Sequence, residues 1–255
     1  MDDTVRAFYD QFAASYHLIF ADWHASIERQ AAVLDHLVRD ALGSGPQHML
    51  DCACGIGTQA VGLARLGHRV HATDLSPAAV ARAEQEACLA GVSLSVAVAD
   101  MRELEQQVPG TFDVVLACDN ALPHLLTDDD LHRAAANIAS KLRPGGLLLA
   151  SIRDYDRLVQ SRPRTEMPRV FDSPDGLRVA FQVWDWAPDG CEYQVHQFLL
   201  RNHDDQWRTE HVETRYRALL RADLDAALRL AGLGQISWLE PEESGYYQPV
   251  VTARA

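Results

Sequence analysis

The sequence predicts an α/β fold, in which a parallel sheet is covered by helices on both faces and carries a small antiparallel β insertion. From residue 47 to residue 152, short apolar runs alternate with amphipathic helical stretches. After Arg153 the texture changes to a segment rich in Val, Phe, Tyr and Trp, broken by turn signals. The 255 residues are 47% hydrophobic and 23% charged, an ordinary globular composition that can bury a core without disulfides or structural metals.

The first 45 residues read as helical. Phe8, Phe12, Tyr16 and Ile19 recur at helical spacing, and Ile27, Ala31, Leu34, Leu37 and Val38 repeat the pattern. Gly43-Ser44-Gly45-Pro46 then stops the second helix. Strands are expected at 48–53, 69–73, 93–99, 112–118 and 147–152, with helices at 59–66, 77–90 and 128–142 between them. The stretch 168–216 reads as the antiparallel insertion, with turns at Ser173-Pro174-Asp175-Gly176 and Pro188-Asp189-Gly190. Within it, alternation points Phe181, Val183 and Asp185 one way and Gln182, Trp184 and Trp186 the other, with the inward face left open. A helix at 222–231 and strands near 235–239 and 246–253 close the chain. The segments are an N-terminal helical lid (1–46), a ligand-binding core (47–152), the β insertion (153–220) and a final helix with two strands completing the core (221–255).

Thirty-six acidic residues against 23 basic ones give a net charge of −13, which argues against a nucleic-acid partner. No apolar run approaches the ~20 residues of a membrane span, so no membrane partner is expected. The acidic N-terminus MDDTVRAFYD does not look like a secretory signal. Cys52, Cys54, Cys88, Cys118 and Cys191, with no CxxC pair, suit a reducing cytoplasm. Assembly into a homo-oligomer is left open.

The informative stretch is Asp51-Cys52-Ala53-Cys54-Gly55-Ile56-Gly57-Thr58-Gln59-Ala60, where a strand ends, a glycine turn follows and a helix begins. Glycines let a ligand approach the backbone closely. Asp74 ends the next strand, where a carboxylate can accept from the ribose hydroxyls of a nucleoside. Asp100 ends the third, beside an apolar Met101 that an adenine could rest on. Gly55, Gly57 and Ala60 also satisfy G-x-G-x-x-A, so a nicotinamide dinucleotide must be weighed. Asp51 tips the balance: a carboxylate at the base of the loop repels a pyrophosphate and suits an ammonium. S-adenosylmethionine has an amino-acid tail and no phosphate.

Asp51 to Gly57, Asp74, Asp100-Met101, Phe112-Asp113-Val114-Val115-Leu116 and Arg143-Pro144-Gly145-Gly146 together resemble the class I S-adenosylmethionine-dependent methyltransferases. Cys54 stands where that family often has Gly. The resemblance implies a Rossmann-like sheet of seven strands whose last strand runs antiparallel. It also implies that Asp51, Gly55 and Gly57 surround the methionine part of the cofactor, Asp74 the ribose and Asp100-Met101 the adenine. Ala53, Leu75, Cys118, Asp119 and His124 complete the expected cofactor wall.

Ser151-Ile152-Arg153-Asp154-Tyr155-Asp156 resembles the R-N-Y-D segment of the glycine and sarcosine N-methyltransferases, whose arginine grips the substrate carboxylate. Arg153 is therefore the candidate clamp, with Tyr155 and Tyr247 beside it as substrate contacts. The alternative is a surface arginine paired with Asp154 or Asp156. The segment Tyr16 to Trp23 resembles the lid of the same enzymes, making Tyr16, Trp23 and Arg29 candidates to cover the cofactor. Tyr16 and His124 are the candidate catalytic residues, His124 as a base; the alternatives are aromatic packing and a packed loop histidine. Asp119-Asn120 offers two oxygen ligands without an apparent third, so no metal is expected. The expected activity is methylation of a small metabolite, with N-methylation of a carboxylate-bearing amine foremost and S-adenosylhomocysteine as product. O- or C-methylation of a natural-product intermediate with His124 as base, and a non-catalytic cofactor-binding protein, are the alternatives.

Overall fold

The computed structural model describes residues 3–173, 176–203 and 206–255. Helices α1 (Asp3–Phe12) and α2 (Trp23–Leu42) open the chain, separated by a 3-10 turn at Tyr16–Ile19. Asp22 caps α2 by accepting from the Ala25 N–H at 3.0 Å, and Gly43, at φ 85°, ends it. The core then alternates β1 (His48–Asp51), α3 (Thr58–Arg65), β2 (Arg69–Asp74), α4 (Pro77–Leu89), β3 (Ser95–Val98), α5 (Leu104–Gln107), β4 (Phe112–Ala117), α6 (Asp128–Ser140) and β5 (Leu142–Ser151). Helix α7 (Tyr155–Ser161) leads into the insertion: β6 (Arg169–Ser173), β7 (Gly176–Trp186), β8 (Glu192–His203) and β9 (Gln206–Arg217). Finally come α8 (Arg221–Leu230), β10 (Gly234–Leu239), α9 (Pro241–Ser244) and β11 (Val250–Arg254).

The main sheet has seven strands in the order β10-β11-β5-β4-β1-β2-β3, and β11 runs antiparallel to both neighbours. The insertion is a separate four-stranded antiparallel sheet, β6-β7-β8-β9. Successive residues of the central strands enter opposite cores. Leu50, Val115 and Leu148 pack with Leu131 of α6 and Leu224 of α8. Met49, Val114 and Leu147 pack with Leu34 of α2 and Leu63 of α3. Burial on both faces is why these strands read as continuous apolar runs. Among the described residues, no helix is long and apolar enough to cross a membrane.

The structure departs from expectation where a local contact outweighs the apolar pattern. β5 begins at Leu142 and not 147: its pairing with β4 jumps from Phe112↔Leu142 to Val114↔Leu147. The Arg143-Pro144-Gly145-Gly146 stretch is thus a bulge within the strand, held by an Arg143–Asp113 ion pair at 2.8 Å. The last strand starts at Val250 and not 246: the buried Tyr246 donates its hydroxyl to Asp119, and the exposed Tyr247 reaches the same carboxylate. Helices α5, α7 and α9, four to seven residues long, are too short to show an apolar repeat. Pro174 and Asp175 of one expected turn lie outside the described residues.

Gly62 on α3 packs tightly against α2. A Cβ there would stand 2.5 Å from the Ala31 Cβ and 2.9 Å from the Ile27 carbonyl oxygen. Gly62→Ala is expected to push the helices apart and lower stability by about 1–3 kcal/mol. Urea denaturation measures this, and an unchanged midpoint would contradict the close packing.

Candidate functional site

The carboxyl ends of β1, β2 and β4 open into a cleft, the place where sheets of this kind bind ligands. Its walls include Ala53, Gly55, Asp74, Leu75, Met101, Cys118, Asp119 and His124 from the core, with Tyr9 and Tyr16 from the N-terminal segment. The glycine turn needs glycine: Gly55 and Gly57 have φ of 52° and 92°, and a Cβ on Gly57 would meet Ala83 Cβ at 3.2 Å. Asp74 braces the turn, accepting from the Gly55 N–H at 2.8 Å and the Ser76 N–H at 2.9 Å. α1 is tied down over it, with the Ser76 hydroxyl donating to Asp10 at 2.6 Å.

Asp51 lies just behind the wall, 1% exposed. One carboxylate oxygen has a long contact with the Ala53 N–H at 3.4 Å, and the other, Oδ2, has no hydrogen-bond partner. Burial pushes the Asp51 carboxyl up to about 8, against the Ala53 N–H, and the neighbouring Asp74 and Asp119 add to the rise. Burial raises Asp74 and Asp119 as well. The floor of the cleft is acidic.

A second cleft, of about 600 Å³, adjoins the first. Tyr9, Tyr16 and Asp119 line both. Arg153 stands in it, its guanidinium donating to the Tyr193 hydroxyl at 2.8 Å and to Gln182 Oε1 at 2.9 Å. It lies 4.8 Å from the Trp184 ring centroid and 5.4 Å from that of Tyr216. Among the described residues no carboxylate is within ion-pair distance of it. Asp154 turns to Arg157 at 3.0 Å, and Asp156 to Arg221 at 3.8 Å. The surface pairing considered for Arg153 is thereby overturned. Asp119 and Asn120 both take left-handed backbone, at φ 59° and 66°, a conformation Asp and Asn tolerate better than most. This turns Asp119 toward the junction of the clefts and lets Asn120 Oδ1 accept from the Arg153 N–H and the Tyr155 hydroxyl.

His124 is buried. Its Nδ1 lies 3.3 Å from the Arg215 carbonyl, which can only accept, so Nδ1 carries the proton and Nε2 accepts from the Tyr9 hydroxyl at 3.0 Å. Burial pushes the imidazole down to about 3, against the Arg215 contact.

Of the residues singled out in the sequence, Tyr16, Ala53, Gly55, Asp74, Leu75, Met101, Cys118, Asp119 and His124 stand together on the first cleft. Arg153 and Tyr247 stand on the second, and so does Arg29, which was expected over the cofactor. Asp51 and Gly57 lie behind the first wall. Asp100 does not line it: Arg102, two residues on, takes its carboxylate at 2.7 Å and binds Asp130 at 2.6 Å. Trp23 packs beside Ile27 and Ile56 and donates to Thr58 at 3.0 Å, off the wall. Tyr155 is fully buried, with its hydroxyl bonded to Asn120 and Tyr193. Tyr9, Gln59, Asn120, Gln197 and Tyr246 were not assigned to the site; Tyr9, on the apolar stripe of α1, had a signal in the aromatic run Phe8-Tyr9-Phe12-Tyr16. In the insertion, Gln182 and Trp184 face inward.

Residues 49–146 match a family model described as a methyltransferase domain. The chain is 32% identical over 139 residues, 54% of its length and 48% of the other protein's, to a glycine/sarcosine N-methyltransferase of Parasynechococcus marenigrum (strain WH8102). A glycine/sarcosine N-methyltransferase of Halorhodospira halochloris matches at 27%, and the chain spans about half the length of both relatives. In fold, it resembles the CcbJ methyltransferase from Streptomyces caelestis at a TM-score of 0.77, with 20% identity and 100% and 99% of the two chains covered.

The buried Asp51 gives a pH signature. Unfolded, it loses its proton near 4; folded, it holds it to about 8. The native state therefore binds the extra proton between these values, and stability falls as pH rises through that window. Asp51→Asn is expected to flatten this decline in thermal melts from pH 5 to 8. An unchanged slope would contradict the assignment.

Proposed function

We propose that the protein, whose residues 49–146 match the methyltransferase domain model, moves a methyl group from S-adenosylmethionine to the amine of a small carboxylate-bearing acceptor. The product is S-adenosylhomocysteine. Arg153 carries the reading: a guanidinium in the second cleft, held by neutral oxygens and aromatic rings, with no carboxylate of the described chain in ion-pair range. Such a fork matches a ligand carboxylate with two hydrogen bonds.

The first cleft suits the cofactor by its own chemistry. The unpartnered Asp51 Oδ2 lacks a cation or donor, which an ammonium supplies and a diphosphate does not. The bound cofactor supplies a methyl group already activated on a sulfonium. The chain's task is to hold the acceptor in line and exclude water. Asp51 pairs with the amino group, Asp74 meets the ribose, and Ala99 and Met101 offer an apolar rest for the adenine. Tyr9 and Tyr16, at the junction, shield the reacting atoms from solvent.

His124 bears on the choice of acceptor atom. An imidazole pushed down to about 3 is a poor sink for a hydroxyl or carbon proton. A neutral amine needs no such sink, so an amine suits the site better than an alcohol. The volume of about 600 Å³ admits acceptors larger than a bare amino acid. S-adenosylhomocysteine formation is expected with amino-carboxylates and not with matched hydroxy-carboxylates. Arg153→Gln should raise the acceptor KM roughly 10- to 100-fold, the loss of about 1.5–3 kcal/mol for a charged hydrogen bond, with cofactor affinity unchanged. An unchanged acceptor KM, or no product with any amino-carboxylate, would overturn the proposal.

A further inference from the structure

The outer face of the four-stranded sheet turns away from both clefts. Since Gln182, Trp184, Gln197 and Tyr216 line the second cleft, strand alternation puts Asp185, His196, His211 and Glu213 on the opposite side. Register places Glu213 directly across from His196, and His211 one pleat along, across from Phe198. His196 Nδ1 is 3.1 Å from His211 Nε2 and 3.2 Å from a Glu213 carboxylate oxygen.

We propose that His196, His211 and Glu213 form a binding site for a divalent transition-metal ion of the zinc type. Two imidazole nitrogens and a carboxylate favour late first-row ions over magnesium or calcium. A tetrahedral ion with zinc–nitrogen bonds of about 2.0–2.1 Å holds its ligands about 3.3 Å apart, close to the distances here. All three ligand atoms lie within 4.8 Å of one another. The surroundings also orient the ligands. The other nitrogen of His196, Nε2, faces Asp185 at 3.6 Å, and Asp185 is itself held by Arg164 at 2.7 Å. The His211 ring stacks on Phe198 at 4.7 Å, and Phe198 on Phe181 at 5.0 Å. Rings fixed in this way lose little freedom when an ion binds. The Glu213 side chain is half exposed, which leaves the fourth position to water. The ion would clasp β8 to β9 behind the roof of the second cleft.

The test uses the full chain, stripped with chelator and titrated with zinc chloride by calorimetry, and with Co²⁺ by visible absorption. The expected result is one ion per chain with the absorption of tetrahedral Co²⁺, lost in the variant carrying His196→Ala and His211→Ala. Asp185→Asn should weaken binding roughly 10- to 100-fold without touching a ligand, and circular dichroism checks that both variants fold. Equal stoichiometry and affinity in the double variant would mean that other groups, such as the exposed Cys88 and Cys191, hold the ion, and would overturn the proposal. So would a wild-type chain that takes up no zinc.

Discussion

The cost of keeping carboxylates beneath the glycine turn, with no cation of the chain beside them, organises the mouth of the parallel sheet. Among the described residues, no Lys, Arg or His forms an ion pair with Asp51, Asp74 or Asp119. Burial therefore raises all three, Asp51 to about 8. Backbone N–H groups relieve Asp74 and tyrosine hydroxyls relieve Asp119, while one oxygen of Asp51 is left with nothing. An arrangement that disfavours its own charge when empty is stabilised by a ligand bringing a positive group.

The second cleft has the reverse need. Arg153 is a cation among neutral oxygens and rings, supplied by an inserted sheet whose Trp184, Tyr193 and Tyr216 pack into the same core as one face of the parallel sheet. The two clefts meet at Tyr9, Tyr16 and Asp119, so the acidic and basic subsites face a common junction. The left-handed backbone at Asp119 and Asn120 links them: one residue serves the first cleft's rim, and the next fixes the main chain of Arg153. Sparsely populated backbone of this kind persists only where its surroundings hold it.

The alternation of strands and helices was legible because burial on both faces of the sheet leaves unbroken apolar runs, and the glycine turn because its conformation admits few residue types. The single carboxylates were harder to read. Asp74 stands on the wall, whereas Asp100 is captured by Arg102, and only the folded backbone decides which happens. Trp23 and Tyr155 fell off the walls because a helix fixes which way an aromatic points, and that direction depends on packing partners distant in the chain. Tyr9 and Asn120 went unassigned for the same reason: Tyr9 meets His124 across 115 positions, and Asn120 holds Arg153 across 33. The inward face of the insertion could not be told from alternation alone, since both faces carry aromatics.

The most direct test is proton release on binding. S-adenosylhomocysteine is titrated into the protein at pH 7 by calorimetry in two buffers of different ionisation enthalpy. With Asp51 held at about 8, most of it is protonated before binding, and an ammonium placed beside it drives the proton off. Release of a proton, approaching one per ligand, is the predicted result. Binding with no proton exchanged, or with uptake, would contradict it and remove the buried carboxylate from its place at the centre of the site.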